Sequence, residues 1–217
     1  MNRKAAKSKS GSKPKAKPRA RHTRADNADK AYHHGDLAPA LRQAARVLLE
    51  EEGLEALSLR SVARRAGVSH AAPYRHYASH ESLLAELAAE GFDELRRELR
   101  VAGSAPGALD ERIAHIGAAY TRFAARHGAL LRLMFGSALP HRAAYPALAG
   151  AADSVGEEIG NALDDSVLGL AVWATVHGLA MLILEDVIDL GQRKSGMDVM
   201  PSRAEILLRS LFSRTME

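Results

Sequence analysis

The segment from Leu57 to Tyr77, LSLRSVARRAGVSHAAPYRHY, constrains the fold more than any other part of the chain. Its first half predicts a short helix, because apolar residues from Leu59 to Ala66 recur at helical spacing and Ser58 can cap the N-terminus. Gly67 predicts the end of that helix, since glycine readily adopts the left-handed conformation that terminates helices. Ser69 can then cap a second helix, which is too short to be stable without neighbours.

The second helix, His70 to Tyr77, carries polar and cationic side chains. A packing helix followed by a polar one is the composition of a helix-turn-helix unit, whose second helix enters the major groove of DNA. Pro73 makes this helix irregular, because proline lacks a backbone donor and disfavours helical geometry in the residue before it. We therefore expect the helix to begin late or to wind tightly, with Ala72 biased away from helical geometry and Tyr77 returning to the core.

The rest of the chain also shows helical periodicity and no convincing period-two alternation, so the prediction is an all-α fold. A content of 47% hydrophobic but only 5% aromatic residues suits a helical core rich in alanine and leucine. A first helix should run from Asp36 to Gly53, and a long rigid helix from Ser79 to Val101 should join the two halves of the chain. Further helices are expected at about 108–126, 127–136, 142–163, 166–190 and 201–215.

Charge divides the chain unevenly. Residues 1–24 hold ten of the 30 Lys and Arg residues and no acidic ones, which leaves 20 basic against 26 acidic residues in the remainder. We expect residues 1–30 to be a disordered basic arm, 31–80 a helix-turn-helix DNA-binding domain, and 81–217 a second, helical domain. Two interpretations of the arm stay open: it tracks DNA phosphates or a minor groove, or it is a solubilising tail.

The stretch Ser166–Leu184 has no formal charge over nineteen residues, which is long enough to span a membrane. Acidic flanks and the polar residues within it favour a helix buried on all sides of a soluble core instead. The first 24 residues lack the apolar run of a signal peptide. We expect a protein of the cytoplasm, associated with the nucleoid, and no contact with a membrane.

The sequence offers no support for an enzyme. It has no cysteine, no glycine-rich phosphate loop and no serine elbow. The histidines His115, His127, His141 and His177 are not at ligand spacing, and the adjacent pair His33 and His34 point apart. We therefore expect no cofactor and no metal.

Several of these features occur together in one known family. The GDL sequence at Gly35–Leu37, the AGVS turn at Ala66–Ser69, Tyr74, Tyr77 and SHESLL at Ser79–Leu84 resemble the DNA-binding domain of TetR-type bacterial transcriptional regulators. The second half is similar to the regulatory domain of the branch with a Trp…His-Gly signature, present here as Trp173, His177 and Gly178.

The resemblance implies which residues contact DNA. Arginine can bind guanine in bidentate fashion, alanine methyls can meet a thymine methyl, and hydroxyl or imidazole groups suit phosphate oxygens. The alternative for the polar members is an ordinary solvated face. The expected DNA-binding residues are Arg60, Ser69, His70, Ala71, Ala72, Tyr74, Arg75, His76 and His80.

The resemblance also implies that residues 81–217 form a regulatory domain for ligand binding and dimerisation, with a ligand pocket in it. Trp173 and His177 are one helical turn apart and share a helix face, as core or interface residues or as the wall and polar group of a pocket. Both interpretations stay open. The pocket candidates are Tyr120, Phe123, His127, Met134, Phe135, Trp173, His177 and Met181.

The implied function is a DNA-binding regulator, usually a repressor in this family, that a small molecule of unknown identity controls. Its partner would be a near-palindromic double-stranded operator read by a homodimer. The last helix, with Ile206, Leu207, Leu208, Leu211 and Phe212, is too apolar for a monomer's surface, so it should pair with 166–190 in a four-helix bundle across a twofold axis. The alternative is a sequence-tolerant architectural DNA-binding or interaction protein without small-molecule control.

Overall fold

The chain folds into helices joined by short turns. The computed structural model describes residues 37–188 and 206–212, and within them there is no β-strand, as the all-α prediction requires. The basic arm 1–30, His33 and His34, and segments 189–205 and 213–217 lie outside the described residues. The helices are α1 Leu37–Glu52, α2 Leu59–Arg65, α3 His80–Gly103, α4 Leu109–Arg126, α5 Gly128–Phe135, α6 Pro146–Leu163, α7 Ser166–Leu184 and α8 206–212, with 3₁₀ turns at Leu54–Ala56, Pro73–Arg75 and Arg142–Ala144.

The N-terminal part of the described chain, which we call the head, consists of α1, α2, the segment up to Ser79 and the first turn of α3. Ser58 caps α2 as expected: its hydroxyl accepts a hydrogen bond from the Ser61 amide at 3.0 Å, and the Ser61 hydroxyl accepts one from the Ser58 amide at 2.9 Å. The helix ends at Gly67, whose φ of +68° lets the Val68 amide donate back to the Ala63 carbonyl at 3.0 Å. The predicted packing helix and its glycine stop are therefore confirmed.

The long helix α3 runs from the head into the second half of the molecule. Ser79 and Ser82 form a second reciprocal cap at its start. Its apolar stripe is fully buried against α4, α5 and α6, and includes Leu83, Leu87, Leu95 and Leu99. The predicted rigid connection from Ser79 to Val101 is therefore a single continuous α-helix, which ends at Gly103.

Ion pairs join α1 to α3. Arg42 pairs with Glu86 at 2.9 Å and also with Glu90. Arg46 pairs with Glu94 at 3.0 Å. These side chains are partly buried, so the pairs are screened less than exposed ones would be and hold the head against the long helix.

The predicted helix 166–190 is wrong in two respects. It ends at Leu184, because Glu185 leaves helical geometry and Asp186 adopts a positive φ of 57°. It is also buried on one face only, through residues such as Val172, Val176 and Ile183, whereas Val167 is 76% and Leu170 is 61% exposed. Its mean hydropathy of 2.1 and its length meet the criteria for a membrane span, although only 28% of the apolar window is buried. Interface helices of oligomers have the same composition.

Two other boundaries differ from the sequence interpretation. The helix expected at 142–163 begins at Pro146, because proline is favoured in the first helical turn and cannot continue a preceding one. Arg142–Ala144 is instead a separate 3₁₀ turn. The helix expected at 201–215 is described over 206–212, where Leu208 and Phe212 pack into the core and the other apolar residues are exposed.

Candidate DNA-binding face and ligand site

The segment from Ser69 to Tyr77 winds more tightly than an α-helix, as expected from Pro73. It forms a turn closed by the Ala72 amide on the Ser69 carbonyl at 3.0 Å, and then the 3₁₀ turn Pro73–Arg75. The expectation for Ala72 was wrong, since its φ of −61° and ψ of −46° are helical. The Arg75 amide donates to the Ala72 carbonyl at 3.2 Å, and Pro73 is buried, so local bonding and packing offset the steric bias.

The structure exposes most of the predicted DNA-binding residues. Tyr74 is 57% exposed, whereas Tyr77 is 2% exposed and packs in the core as predicted. Burial raises the pKa of the Tyr77 hydroxyl. Ala72 is half-buried, and the other exposed candidates are Arg60, Ser69, His70, Ala71, Arg75 and His76.

His80 differs from the other candidates. It is the first residue of α3 and is half-buried, and its Nε2 atom is shielded from solvent without a hydrogen-bond partner among the described residues. An inward-facing nitrogen is poorly placed to bind a phosphate oxygen unless the ring turns. Among the nine candidates, His80 is therefore the one that this arrangement supports least.

The arginines of the head differ from those elsewhere. Of the arginines that the structure describes, Arg60, Arg64, Arg75 and Arg122 form no side-chain hydrogen bond or ion pair, and three of these four lie in the head. Most of the others are paired with carboxylates or backbone carbonyls, as in Arg100 with Glu158 at 3.0 Å. Guanidinium groups without internal partners are available for phosphates and base edges.

In the second half, four of the eight pocket candidates meet in one aromatic cluster. The Tyr120 hydroxyl and the His177 Nδ1 are 2.8 Å apart. The Phe135 ring lies 4.2 Å from that of His177 and 6.2 Å from that of Trp173, centroid to centroid, and it also contacts Phe92 edge-on at 5.0 Å. We call Tyr120, Phe135, Trp173 and His177 the aromatic cluster.

Burial sets the protonation of this cluster. It raises the pKa of the Tyr120 hydroxyl far above its ordinary value, and it lowers the pKa of His177. Both groups are therefore neutral near pH 7. The buried indole Nε1 of Trp173 lies near enough to the Tyr120 hydroxyl to lower that pKa in part, but it completes no hydrogen bond with any described residue. The cluster thus contains a donor that lacks an acceptor.

The other four candidates are placed differently. Phe123 and Met134 are fully buried, and Met134 packs against Gly91 of α3. Met181 is half-buried on α7. His127 contacts the Phe123 ring at a tilted angle, with centroids 5.1 Å apart, and lies half-buried beside α1 and α3, its ring nitrogens 3.6 Å from Glu50 and 3.5 Å from Glu94. This bridging position of His127 depends on contacts between residues far apart in sequence, and sequence analysis missed it.

Open clefts lie beside the cluster rather than within it. Of the candidates, Phe135 lines a cleft of about 880 Å³ formed by the loop 136–144, which also contains Arg142. A second cleft, of about 630 Å³, lies at the turn between α6 and α7 and contains none of the candidates. Sequence analysis missed Arg142 and the loop. The sequence signal that was available is Arg142 itself. It is the one Lys or Arg residue between Gly136 and Pro146, a segment without acidic residues.

A capped packing helix, a tight second element and an exposed face of unpaired cations define a helix-turn-helix DNA-binding protein with an α-helical second domain. Residues 41–87 match the profile of the bacterial regulatory proteins of the tetR family, and residues 113–195 match that of the tetracyclin repressor-like C-terminal domain. The chain belongs to the TetR family of transcriptional regulators, and its members are DNA-binding proteins rather than enzymes.

Solved structures share this fold. A protein of unknown function from Rhodococcus sp. RHA1 is 31% identical, with a TM-score of 0.68 over 84% of this chain and 98% of that one. A bacterial regulatory protein in the tetR family from Rhodococcus RHA1 is 20% identical, with a TM-score of 0.62 over 80% and 95%.

The regulator FadR from Bacillus subtilis, solved in complex with stearoyl-CoA, is 15% identical, with a TM-score of 0.61 over 80% of this chain and 98% of that one. At this identity the likeness shows the fold alone. Among curated proteins, none matches the sequence.

Proposed function

We propose that the protein is a homodimeric repressor that binds a near-palindromic operator and that a small molecule in its second domain controls. This proposal rests on the exposure of Arg60, Tyr74 and His76, whose side chains form no hydrogen bond or ion pair within the described part of the chain. In two copies related by a twofold axis, these faces would meet successive major grooves about 34–36 Å apart. We also propose the division at residues 31–80 and 81–217, and a cytoplasmic, nucleoid-associated location.

Selection of genomic fragments by the purified protein tests this proposal. Fragments from the genome that encodes the protein would be captured in the presence of excess nonspecific DNA. We expect a few fragments to be enriched and to share two inverted half-sites about one helical turn apart. Uniform recovery would contradict sequence-specific binding and favour the alternative, an architectural protein that binds through its basic arm.

The arm needs its own measurement, because two interpretations of it remain. If its ten cations contact phosphates, deleting residues 1–24 will reduce the slope of log affinity against log salt concentration. An unchanged slope would mean that the arm makes no phosphate contacts. Either result leaves the assignment of the recognition face intact, since that face lies in the head.

Dimerisation is proposed through α7 and α8. Both helices carry exposed apolar side chains, including Leu170 on α7 and Ile206 on α8, which is 64% exposed. Apolar patches of this kind on a soluble chain mark contact surfaces, and a four-helix bundle across a twofold axis would cover both helices. The proposed interface includes Val167, Leu170, Leu182, Ile206, Leu207 and Leu211.

Charge introduced into this surface tests the dimer. We expect Leu170→Glu combined with Leu207→Glu to convert the protein to monomers in sedimentation velocity runs. Val101→Glu is the matched control, because Val101 is equally apolar and exposed but lies at the end of α3. A wild-type protein that is already monomeric, or a double variant that stays dimeric, would overturn the proposed interface.

Ligand control is proposed to act on the placement of the head. Helix α3 is continuous from the head into the core, and the ion pairs of Arg42 and Arg46 join α1 to it. A ligand can shift operator affinity only by its difference in affinity for two placements of the head. A compound that stabilises the protein in thermal-shift screening should therefore change operator affinity, and a stabilising compound without that effect would refute the coupling.

A further inference from the structure

The aromatic cluster and the neighbouring cleft share one side chain, that of Phe135. This residue ends α5, contacts His177 and Trp173 on one side, and lines the cleft of the loop 136–144 on the other. The helix ends there because the chain leaves helical geometry at Gly136, whose ψ is −178°. A rotation of the Phe135 ring would therefore join the cleft to the cluster.

The chemistry of the cleft favours an anion. None of the residues that line it is acidic. Arg142 is half-buried there, and its guanidinium donates to the Met134 carbonyl while forming no ion pair with any carboxylate in the described part of the chain. A partly buried guanidinium with one neutral partner has donors left for a carboxylate, which it can bind in bidentate fashion.

The chemistry of the cluster favours an aromatic ring. Tyr120 contacts His177 edge-on and Phe135 contacts Trp173 edge-on, an arrangement that accepts a further ring at similar spacing. The Trp173 Nε1 is buried without an acceptor, so a ring in this place would lie against an indole whose donor is unused.

We propose that the effector site binds a small aromatic carboxylate, with the carboxylate on Arg142 and the ring in the space that the Phe135 side chain occupies. This inference rests on the proposed function, because it names the ligand class of the regulatory site. The two parts of the ligand would bind to different groups: the loop 136–144 binds the carboxylate, and Tyr120, Trp173 and His177 contact the ring. Phe135 competes with the ligand for one volume.

Benzoate is the probe for this site. The chain has one tryptophan, Trp173, so its fluorescence reports directly on the cluster in the full-length protein without DNA. We expect saturable binding of benzoate, seen by fluorescence and by calorimetry. Cyclohexanecarboxylate keeps the charge without the aromatic ring, and benzamide keeps the ring without the charge. Each should bind about tenfold or more weakly, as expected for loss of one ring contact or one charged hydrogen bond.

Two variants should change the affinity for benzoate in opposite directions. Arg142→Gln should weaken benzoate binding by about tenfold, because it removes a charge-assisted pair. Phe135→Ala should bind benzoate more tightly than wild type, since the ring volume is vacated, as apolar cavities created by truncation take up aromatic compounds. Phe135→Leu serves if the alanine variant fails to fold. Arg97→Gln is the control, because Arg97 bonds only to the Asp93 carbonyl of its own helix.

The possible outcomes distinguish the proposed ligand class from the proposed function as a ligand-controlled repressor. Equal affinity for the three probes, no effect of Arg142→Gln, or loss of binding in both Phe135 variants would overturn the ligand class, while specific operator binding would still stand. If benzoate binds as expected but leaves operator affinity unchanged, the site is supported and ligand control of DNA binding is refuted.

Discussion

The recognition segment Ser69–Tyr77 and the aromatic cluster hold polar side chains in opposite ways. In the recognition segment the polar side chains from Ser69 to His76 are exposed and have no side-chain partner among the described residues. In the cluster the buried Tyr120 hydroxyl is matched by the half-buried His177, and ring contacts extend to Phe92. Substitutions in the recognition segment should therefore change DNA affinity at constant stability, whereas substitutions in the cluster should lower stability.

The largest effect should come from removing an aromatic side chain of the core. Phe92 is fully buried and contacts Phe135, so Phe92→Ala should lower the free energy of unfolding by about 3–5 kcal/mol. Urea denaturation would measure it. Tyr74→Ala, an aromatic truncation in the recognition segment, is the control and should stay within about 0.5 kcal/mol of wild type. Similar values for both variants would remove the contrast between the two regions.

The reverse contrast should appear in DNA binding. Arg60→Ala and Tyr74→Ala should each weaken binding to a selected operator by about 1–3 kcal/mol, or roughly tenfold to a hundredfold, with unchanged thermal stability. Fluorescence anisotropy with labelled operator measures the affinity. Arg122→Ala is matched, because Arg122 is also unpaired among the described residues but lies on α4. An equal loss in Arg122→Ala would point to a general effect of charge.

A smaller effect is expected from the hydroxyl of Tyr120. Tyr120→Phe leaves His177 Nδ1 without its partner in a buried place, which should cost about 1–2 kcal/mol of unfolding free energy. Tyr145→Phe is the control, because Tyr145 is half-buried and no hydrogen bond of its hydroxyl is found in the described part of the chain. If both variants are as stable as wild type, the hydroxyl–imidazole contact does not hold the cluster together.

The smallest expected effect is on the pH dependence of the free energy of unfolding. Burial lowers the pKa of His177, so the unfolded chain binds a proton at a higher pH than the folded one. Stability should therefore decrease as the pH falls from about 6.5 toward the lowered pKa. His177→Asn, which keeps an acceptor for Tyr120, should flatten that part of the curve. Denaturation at several pH values would test it, and an identical curve in the variant would exclude His177 as the source.

Local chemistry explains why the head was predictable. Ser58, Gly67 and Ser79 act on neighbours within five residues, so their capping and stop signals can be found in the sequence itself. Pro73 was correctly expected to tighten the segment. The helical backbone conformation of Ala72 was not expected, because hydrogen bonds and the burial of Pro73 determine it.

Long-range packing explains what sequence analysis missed. Tyr120 and His177 are 57 residues apart, and Phe135 joins them from a third helix, so only the tertiary fold brings them together. An uncharged helix such as α7 has the same sequence pattern in a buried core, an interface or a membrane, and its exposed face became visible only after folding. The loop with Arg142 has no periodicity from which its position could be inferred.

The ratio of affinities for a selected operator and its scrambled version shows most directly whether the recognition segment reads DNA sequence. We predict a high ratio for wild type and a ratio close to one for a variant combining Arg60→Ala, Tyr74→Ala and His76→Ala. The basic arm remains in that variant, so any binding through it should persist at low salt. A triple variant that keeps the wild-type ratio would contradict the account.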